Sequence, residues 1–234
     1  MNQPAFTFHV GEKFYADGSP RQYPGVTVIC FADPASAIYK AGESIQAQLL
    51  EQPFGHKFAL LPPSSFHMTV FSLICTERRS PDQWSAGLPL DATVEAADQF
   101  FIDRMHDIPA PPNFRMCITY LGGRGLTIRL NPADEGTYET LWAYRDQVSQ
   151  ATGVRYPDHD RYLFHLTLAY NLIQLTDAED HAFYQWRVGV GEALRCATGI
   201  FETGQPVLTF FDDMFRFVPA AERLNLVSRQ RYNG

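Results

Sequence analysis

Two five-residue segments of this 234-residue chain carry acid–base chemistry in the same order. Phe66-His67-Met68-Thr69-Val70 and Phe164-His165-Leu166-Thr167-Leu168 both read Phe-His-apolar-Thr-apolar, 98 residues apart. The full pattern is expected roughly 0.007 times by chance in a chain of this make-up, so two copies point to a duplicated device. Side chains alternate faces along a strand. Read as strands, the segments set His67 beside Thr69 and His165 beside Thr167, with Met68, Val70, Leu166 and Leu168 on the opposite, buried faces.

Two imidazoles facing two hydroxyls suit cleavage of a phosphodiester. Histidine titrates near neutral pH, so one ring takes a proton from attacking water while the other gives one to the leaving oxygen. The threonine hydroxyls donate to non-bridging phosphate oxygens, where negative charge is held through the transition state. A single histidine in an apolar strand is ordinarily a satisfied core residue, and threonine favours strands by propensity alone. It is the pairing that points to a site.

The elements that must position these residues follow from periodicity and punctuation. Val26 to Phe31 is short and β-branched, a buried strand. Asp33-Pro34 caps a helix running to Leu50. Lys57 to Leu61 and Phe66 to Ile74 are strands. Asp91 to Ile108 repeats apolar residues at three and four, one helical face. Phe114 to Leu121 and Leu126 to Leu130 form a hairpin around Gly122-Gly123-Arg124-Gly125, whose glycines suit a turn better than a phosphate cradle. Asn131-Pro132 opens a helix that stops at Gly153. Leu163 to Ile173 is a strand, and Thr176-x-x-Glu179 is a capping box for a helix reaching Gly199. Val207 to Phe211 and Met214 to Val218 are final strands around an Asp212-Asp213 turn. Met1 to Pro24 reads as an arm, 25–218 as the core and 219–234 as a polar tail, one domain in all. The irregular order, with hairpins, predicts an α+β fold with largely antiparallel sheets. Dinucleotide and P-loop motifs are missing.

Hydrophobic residues make up 45% and charged residues 19% of the chain, which excludes intrinsic disorder. Net charge is −7, which argues against gripping a nucleic-acid duplex but not against a nucleotide or RNA end in a local basic pocket. No apolar run suggests a membrane span, and MNQPAFTFHVGEKF lacks the pattern of a secretory leader. Cys30, Cys75, Cys117 and Cys196 are scattered, which predicts buried reduced thiols in a cytoplasmic protein.

The doubled His-apolar-Thr-apolar pattern at His67, Thr69, His165 and Thr167 resembles the 2H phosphoesterase superfamily, which includes RNA 2′,3′-cyclic phosphodiesterases and 2′-5′ RNA ligase-like proteins. It is most similar to the bacterial DUF1868 branch. The resemblance covers Val26 to Val218 and leaves the arm outside. It implies two related lobes around a pseudo-two-fold axis, helices packed outside, and motif strands facing each other across a central cleft. It also implies a catalytic pair His67 and His165, with Thr69 and Thr167 binding phosphate.

The expected activity is metal-independent hydrolysis of a small cyclic phosphate, with no cofactor, by a monomer whose substrate is a small nucleotide or RNA terminus. One alternative is a non-catalytic module holding a nucleotide in the same pocket. Another makes both histidines metal ligands and needs a third from His56, His159 or an aspartate. Arg161, Tyr162 and Tyr120 are further candidates for substrate contact, although Asp158-His159-Asp160 offers Arg161 a surface ion pair. Lys57 stands no higher than background. Tyr170 falls on the face opposite His165 in a regular strand, which assigns it to packing.

Overall fold

The β-branched run around Val26 becomes β1 (Gly25–Phe31), buried on both faces and therefore a central strand. The structure, a computed structural model, describes residues 5–123 and 125–223. Arg124 and the ends of the predicted arm and tail lie outside the described residues. A bent single turn, α1 (His9–Glu12), precedes β1. After β1 come α2 (Ala37–Leu50), β2 (Phe58–Leu60), β3 (His67–Cys75), α3 (Val94–Met105), β4 (Arg115–Gly122), β5 (Gly125–Pro132) and α4 (Glu135–Thr152). Then follow β6 (His165–Asn171), α5 (Asp177–Thr198), β7 (Ile200–Glu202), β8 (Val207–Phe211) and β9 (Phe217–Pro219).

Most helix starts lie two to four residues later than predicted, because a better cap competes. Ser36, not Asp33, caps α2, with its hydroxyl accepting from the Tyr39 N–H at 3.3 Å. Asp33 instead closes a turn by accepting from the Ala35 N–H. Thr93 caps α3. Asp134 caps α4, which lets Asn131-Pro132 finish β5. Gly153 ends α4 at φ +66°, a conformation glycine adopts without a Cβ penalty. The Thr176/Glu179 capping box forms as predicted. Asp213 holds the turn before β9 by accepting from the Phe215 N–H, so Met214 to Arg216 stay out of the strand.

The described strands form one antiparallel sheet in the order β7-β4-β5-β6-β3-β1-β8-β9, with β2 paired to β6. Its centre is narrow. β1 pairs with β3 along seven positions, but β3 meets β6 only at Met68 opposite Leu166. The sheet is thus two halves joined at one point, each carrying one motif strand. The helices cross between the halves: α2 follows β1 yet packs on β6 beside α5, and α4 follows β5 yet packs on β3 beside α3. Met68, Val70, Leu166 and Leu168 point into the core under these helices.

The arm does not hang free. Thr7 N–H donates to the Leu172 carbonyl and Gln174 N–H to the Ala5 carbonyl, both at 2.8 Å. Phe14 is fully buried, and Tyr23 N–H reaches the Asp212 carbonyl. The segment therefore straps the β6 end of one half to the β8 end of the other. At the other terminus Arg223 pairs with Asp98 at 2.8 Å. Cys30 is buried, Cys75 and Cys117 are half-buried, and Cys196 is exposed on α5, contrary to the expectation that all four are inside. Among the described residues no helix is long and apolar enough to cross a membrane.

Candidate active site

Each motif histidine is the first residue of its strand and follows a 3₁₀ turn, Pro63–Ser65 before His67 and His159–Arg161 before His165. Each ring is oriented the same way. His67 Nδ1 bonds the Ser65 carbonyl at 2.7 Å, and His165 Nδ1 bonds the Leu163 carbonyl at 2.8 Å. A carbonyl only accepts, so Nδ1 carries the proton on both rings and Nε2 is left with a lone pair for a ligand. Counting antiparallel from Met68 and Leu166 sets His67 toward Thr167 and Thr69 toward His165. All four side chains line one cavity of about 310 Å³.

Burial governs the charge of the pair. It pushes the His67 imidazole down to about 4, against the Ser65 bond and with a further push from His165. Burial also lowers His165, helped by the nearby charges of Arg129 and Lys13. Burial therefore favours the neutral form of both rings near pH 7.

The cavity wall is cationic in an acidic protein. Lys13, Arg78 and Arg145 line it, against Asp158 alone among its acidic side chains. Arg78 is neutralised by Glu12. Arg145 is 2% exposed and donates to the carbonyls of Val70 and His159. The rings of Tyr162, Trp142, Phe71 and Phe164 surround its guanidinium at 4.6 to 5.6 Å. Burial holds its pKa down to about 10, so it stays charged at neutral pH.

A shared irregularity decides what else faces the cavity. In β3 the register with β1 skips Val70, between Phe71 opposite Val28 and Thr69 opposite Ile29. In β6 the register with β5 skips Leu168, between Ala169 opposite Leu126 and Thr167 opposite Thr127. Each motif strand thus bulges at the residue after its threonine, which shifts the alternation by one. Ser72 on β3 and Tyr170 on β6 consequently turn to the cavity. This overturns the assignment of Tyr170 to packing on the far face.

The other candidates separate clearly. Tyr162 lines the cavity beside Thr69 and Ser72 and stacks on His165 with ring centroids 6.4 Å apart. Arg161 is exposed and outside the cavity, and in the Asp158-His159-Asp160 loop expected to pair with it Asp160 pairs with Arg155 instead. Tyr120 is 53% exposed and lies against α5, away from the histidines. Lys57 pairs with Glu179. His56 is exposed on the Pro53 carbonyl, and His159 is buried with its Nε2 on Asp146 at 2.9 Å. Neither supplies the third ligand a metal centre on His67 and His165 needs, and among the described residues no three His, Cys, Asp or Glu side chains gather to hold an ion. Sequence reading missed Lys13, Ser72 and Arg145. Ser72 follows its motif as Tyr170 does, and that spacing was the available signal; the two cations carry no periodic signal.

The site can now be set beside known proteins. A family model described as 2H-phosphodiest, Domain of unknown function (DUF1868), matches residues 13–127, spanning the first motif. The match begins at Lys13, so the shared pattern includes half of the arm that sequence reading had left out. The crystal structure of ATU0111 from Agrobacterium tumefaciens str. C58, a conserved protein of unknown function, aligns with a TM-score of 0.85 at 30% identity, over 94% of this chain and 93% of that one. E. coli LigT in its apo form aligns with a TM-score of 0.48 at 13% identity, over 85% of this chain and 95% of that one. A comparison with curated proteins finds no match. The family match across the first motif and the alignment over nearly the whole chain have one consequence: the protein belongs to the 2H phosphodiesterase family, in its DUF1868 branch.

Proposed function

We propose that the chain hydrolyses a small cyclic phosphate, of the nucleoside or RNA-terminal 2′,3′-cyclic type, without a metal. His67 and His165 are the acid–base pair, and Thr69 and Thr167 hold the phosphate. One observation carries this reading: two imidazoles, each with Nδ1 tied to a carbonyl two residues back, present Nε2 beside two hydroxyls in one cavity. Family membership supports phosphoesterase-type chemistry.

One neutral imidazole takes a proton from water, whose oxygen bonds to phosphorus. The P–O bond to the ribose breaks as the other ring, protonated, gives its proton to that oxygen. The product is a phosphomonoester and a free hydroxyl. An entering anion raises both imidazoles toward the charged form, so binding helps to charge the acid that burial keeps neutral. Arg145 adds fixed positive charge to the same low-dielectric space.

That neutrality also favours a second reading, a binding module that holds a nucleotide without cleaving it. Purified protein assayed on 2′,3′-cyclic AMP, with and without EDTA, separates the two. Turnover unaffected by EDTA is expected. Calorimetric binding without turnover supports the module, and a strict metal requirement overturns the mechanism.

A further inference from the structure

Three cations line the cavity, and two of them are already engaged. Arg78 is held by Glu12, and the terminal nitrogens of Arg145 donate to the Val70 and His159 carbonyls. Lys13, from the N-terminal arm, differs. Its ammonium is framed by two aromatic rings, 5.2 Å from the Tyr23 centroid and 5.0 Å from that of Tyr170. Among the described residues no carboxylate lies within ion-pair distance of it; neighbouring Glu12 is engaged by Arg78 and Tyr23. A cation steadied on ring faces keeps its N–H donors for an anion, and such charge-assisted bonds are the strong ones.

The bulge in β6 sets how near that ammonium comes to the chemistry. Thr127 pairs with Thr167 and Gly125 with Tyr170, so these two β6 residues stand two ladder positions apart although three apart in sequence. Tyr170 is therefore the next cavity-facing residue after Thr167, ~7 Å away. A phosphate bonded to the Thr167 hydroxyl would lie beside the cation over Tyr170, and the same charge helps to lower the His165 imidazole. The arm fixes the place. Phe14, next in sequence, is fully buried against Tyr170 and Phe215, Arg21 N–H donates to the Lys13 carbonyl, and Tyr23 N–H donates to the Asp212 carbonyl. On β3 the matching position after the bulge is Ser72, so the repeat itself supplies no such cation and the arm does.

We propose that Lys13 is a further catalytic residue, delivered by the arm, whose ammonium bonds a non-bridging oxygen of the scissile phosphate and holds the charge that builds there in the transition state. The inference rests on the phosphodiesterase reading of the cavity, and its test is built so that the two fail differently. Turnover of 2′,3′-cyclic AMP is measured on the full chain for the natural protein, Lys13→Gln and Lys13→Arg, with circular dichroism and Tm as the check on folding. Lys13→Met, which keeps an apolar stem between the rings, is the second charge-free variant. Lys13→Gln should lower kcat by about 10²-fold and change KM far less, as a donor that works mainly in the transition state does. Lys13→Arg keeps the charge and should recover about a tenth of the natural kcat or more. The pH profile adds a readout that packing alone would not move. His165 also meets Arg129 of β5, His67 of β3 and the ring of Tyr162, so losing one cation from that set should shift the kcat/KM maximum to higher pH in Lys13→Gln and leave it in place in Lys13→Arg. A natural kcat in Lys13→Gln, an equal loss in Lys13→Arg, or a pH maximum that stays put in Lys13→Gln overturns the role of Lys13 and leaves the phosphodiesterase reading standing. No turnover by the natural protein overturns both.

Discussion

The two motif strands share a backbone plan and differ in what surrounds it. β3 and β6 each begin with histidine, bond Nδ1 to a carbonyl two residues back, and bulge after threonine. The neighbours break this symmetry. Phe31 pairs with His67 across the β1 edge, and Arg129 occupies the matching place opposite His165. Phe217 covers the His67 ring at 4.4 Å, whereas Tyr162 stacks on His165 and carries a hydroxyl. On the proposed reading, repetition of the backbone suits a symmetric reagent, a phosphate between two imidazoles. Divergence of the neighbours gives the two rings different surroundings, as the proposed acid and base require.

The sharpest attempt to break this comparison removes one ring at a time. Neither half can do the other's work, so His67→Ala and His165→Ala should each lower kcat/KM on 2′,3′-cyclic AMP by about 10²-fold or more, with circular dichroism unchanged. If one variant kept activity within a few-fold of the natural protein, the two halves would not be partners.

The next effect is in pH. Both imidazoles are lowered, His67 to about 4, from an ordinary value of 6.5. One ring must be neutral and the other charged, so kcat/KM, which reports the free enzyme, should be bell-shaped with its maximum below pH 6.5. A maximum above pH 7 would show that the rings are not desolvated as described. Stability follows with its own sign. The folded state binds fewer protons than the unfolded chain between about 4 and 6.5, so the His67 contribution is present above that window and is lost as pH falls through it. The Tm should drop on acidification across this range, and His67→Asn should flatten the drop.

Much of this was legible in sequence because strands advertise period two. The repeat identified the paired residues, and alternation put His and Thr on one face. The bulges were not legible: nothing in Val70 or Leu168 signals an extra residue, since a bulge arises from the partner strand's register. One skipped position moved Tyr170 from the buried face to the cavity. Helix starts slipped for a related reason, because Asp33 and Ser36 are both competent caps and tertiary packing of α2 chooses between them. Lys13 and Arg145 lay beyond reach, since the sheet brings the arm and a helix interior to one wall through contacts far apart in sequence.

Smaller changes sharpen the comparison at the threonines. Thr69→Ala and Thr167→Ala each remove one hydroxyl from the phosphate and should lower kcat/KM by roughly tenfold. They differ in surroundings, because Tyr162, which stacks on His165, shares the cavity wall with Thr69 and Ser72 of β3.

Tyr162→Phe keeps the ring against His165 and Arg145 and deletes only the hydroxyl. A modest loss, about threefold in kcat/KM, is expected alone. The informative experiment is the double-mutant cycle. If the hydroxyl acts by holding Thr69, Tyr162→Phe should cost nothing further in a Thr69→Ala background, while in a Thr167→Ala background its loss should multiply. Equal losses in both backgrounds would mean that Tyr162 serves the site through its ring, as a cover on His165, and that the two threonines are equivalent after all.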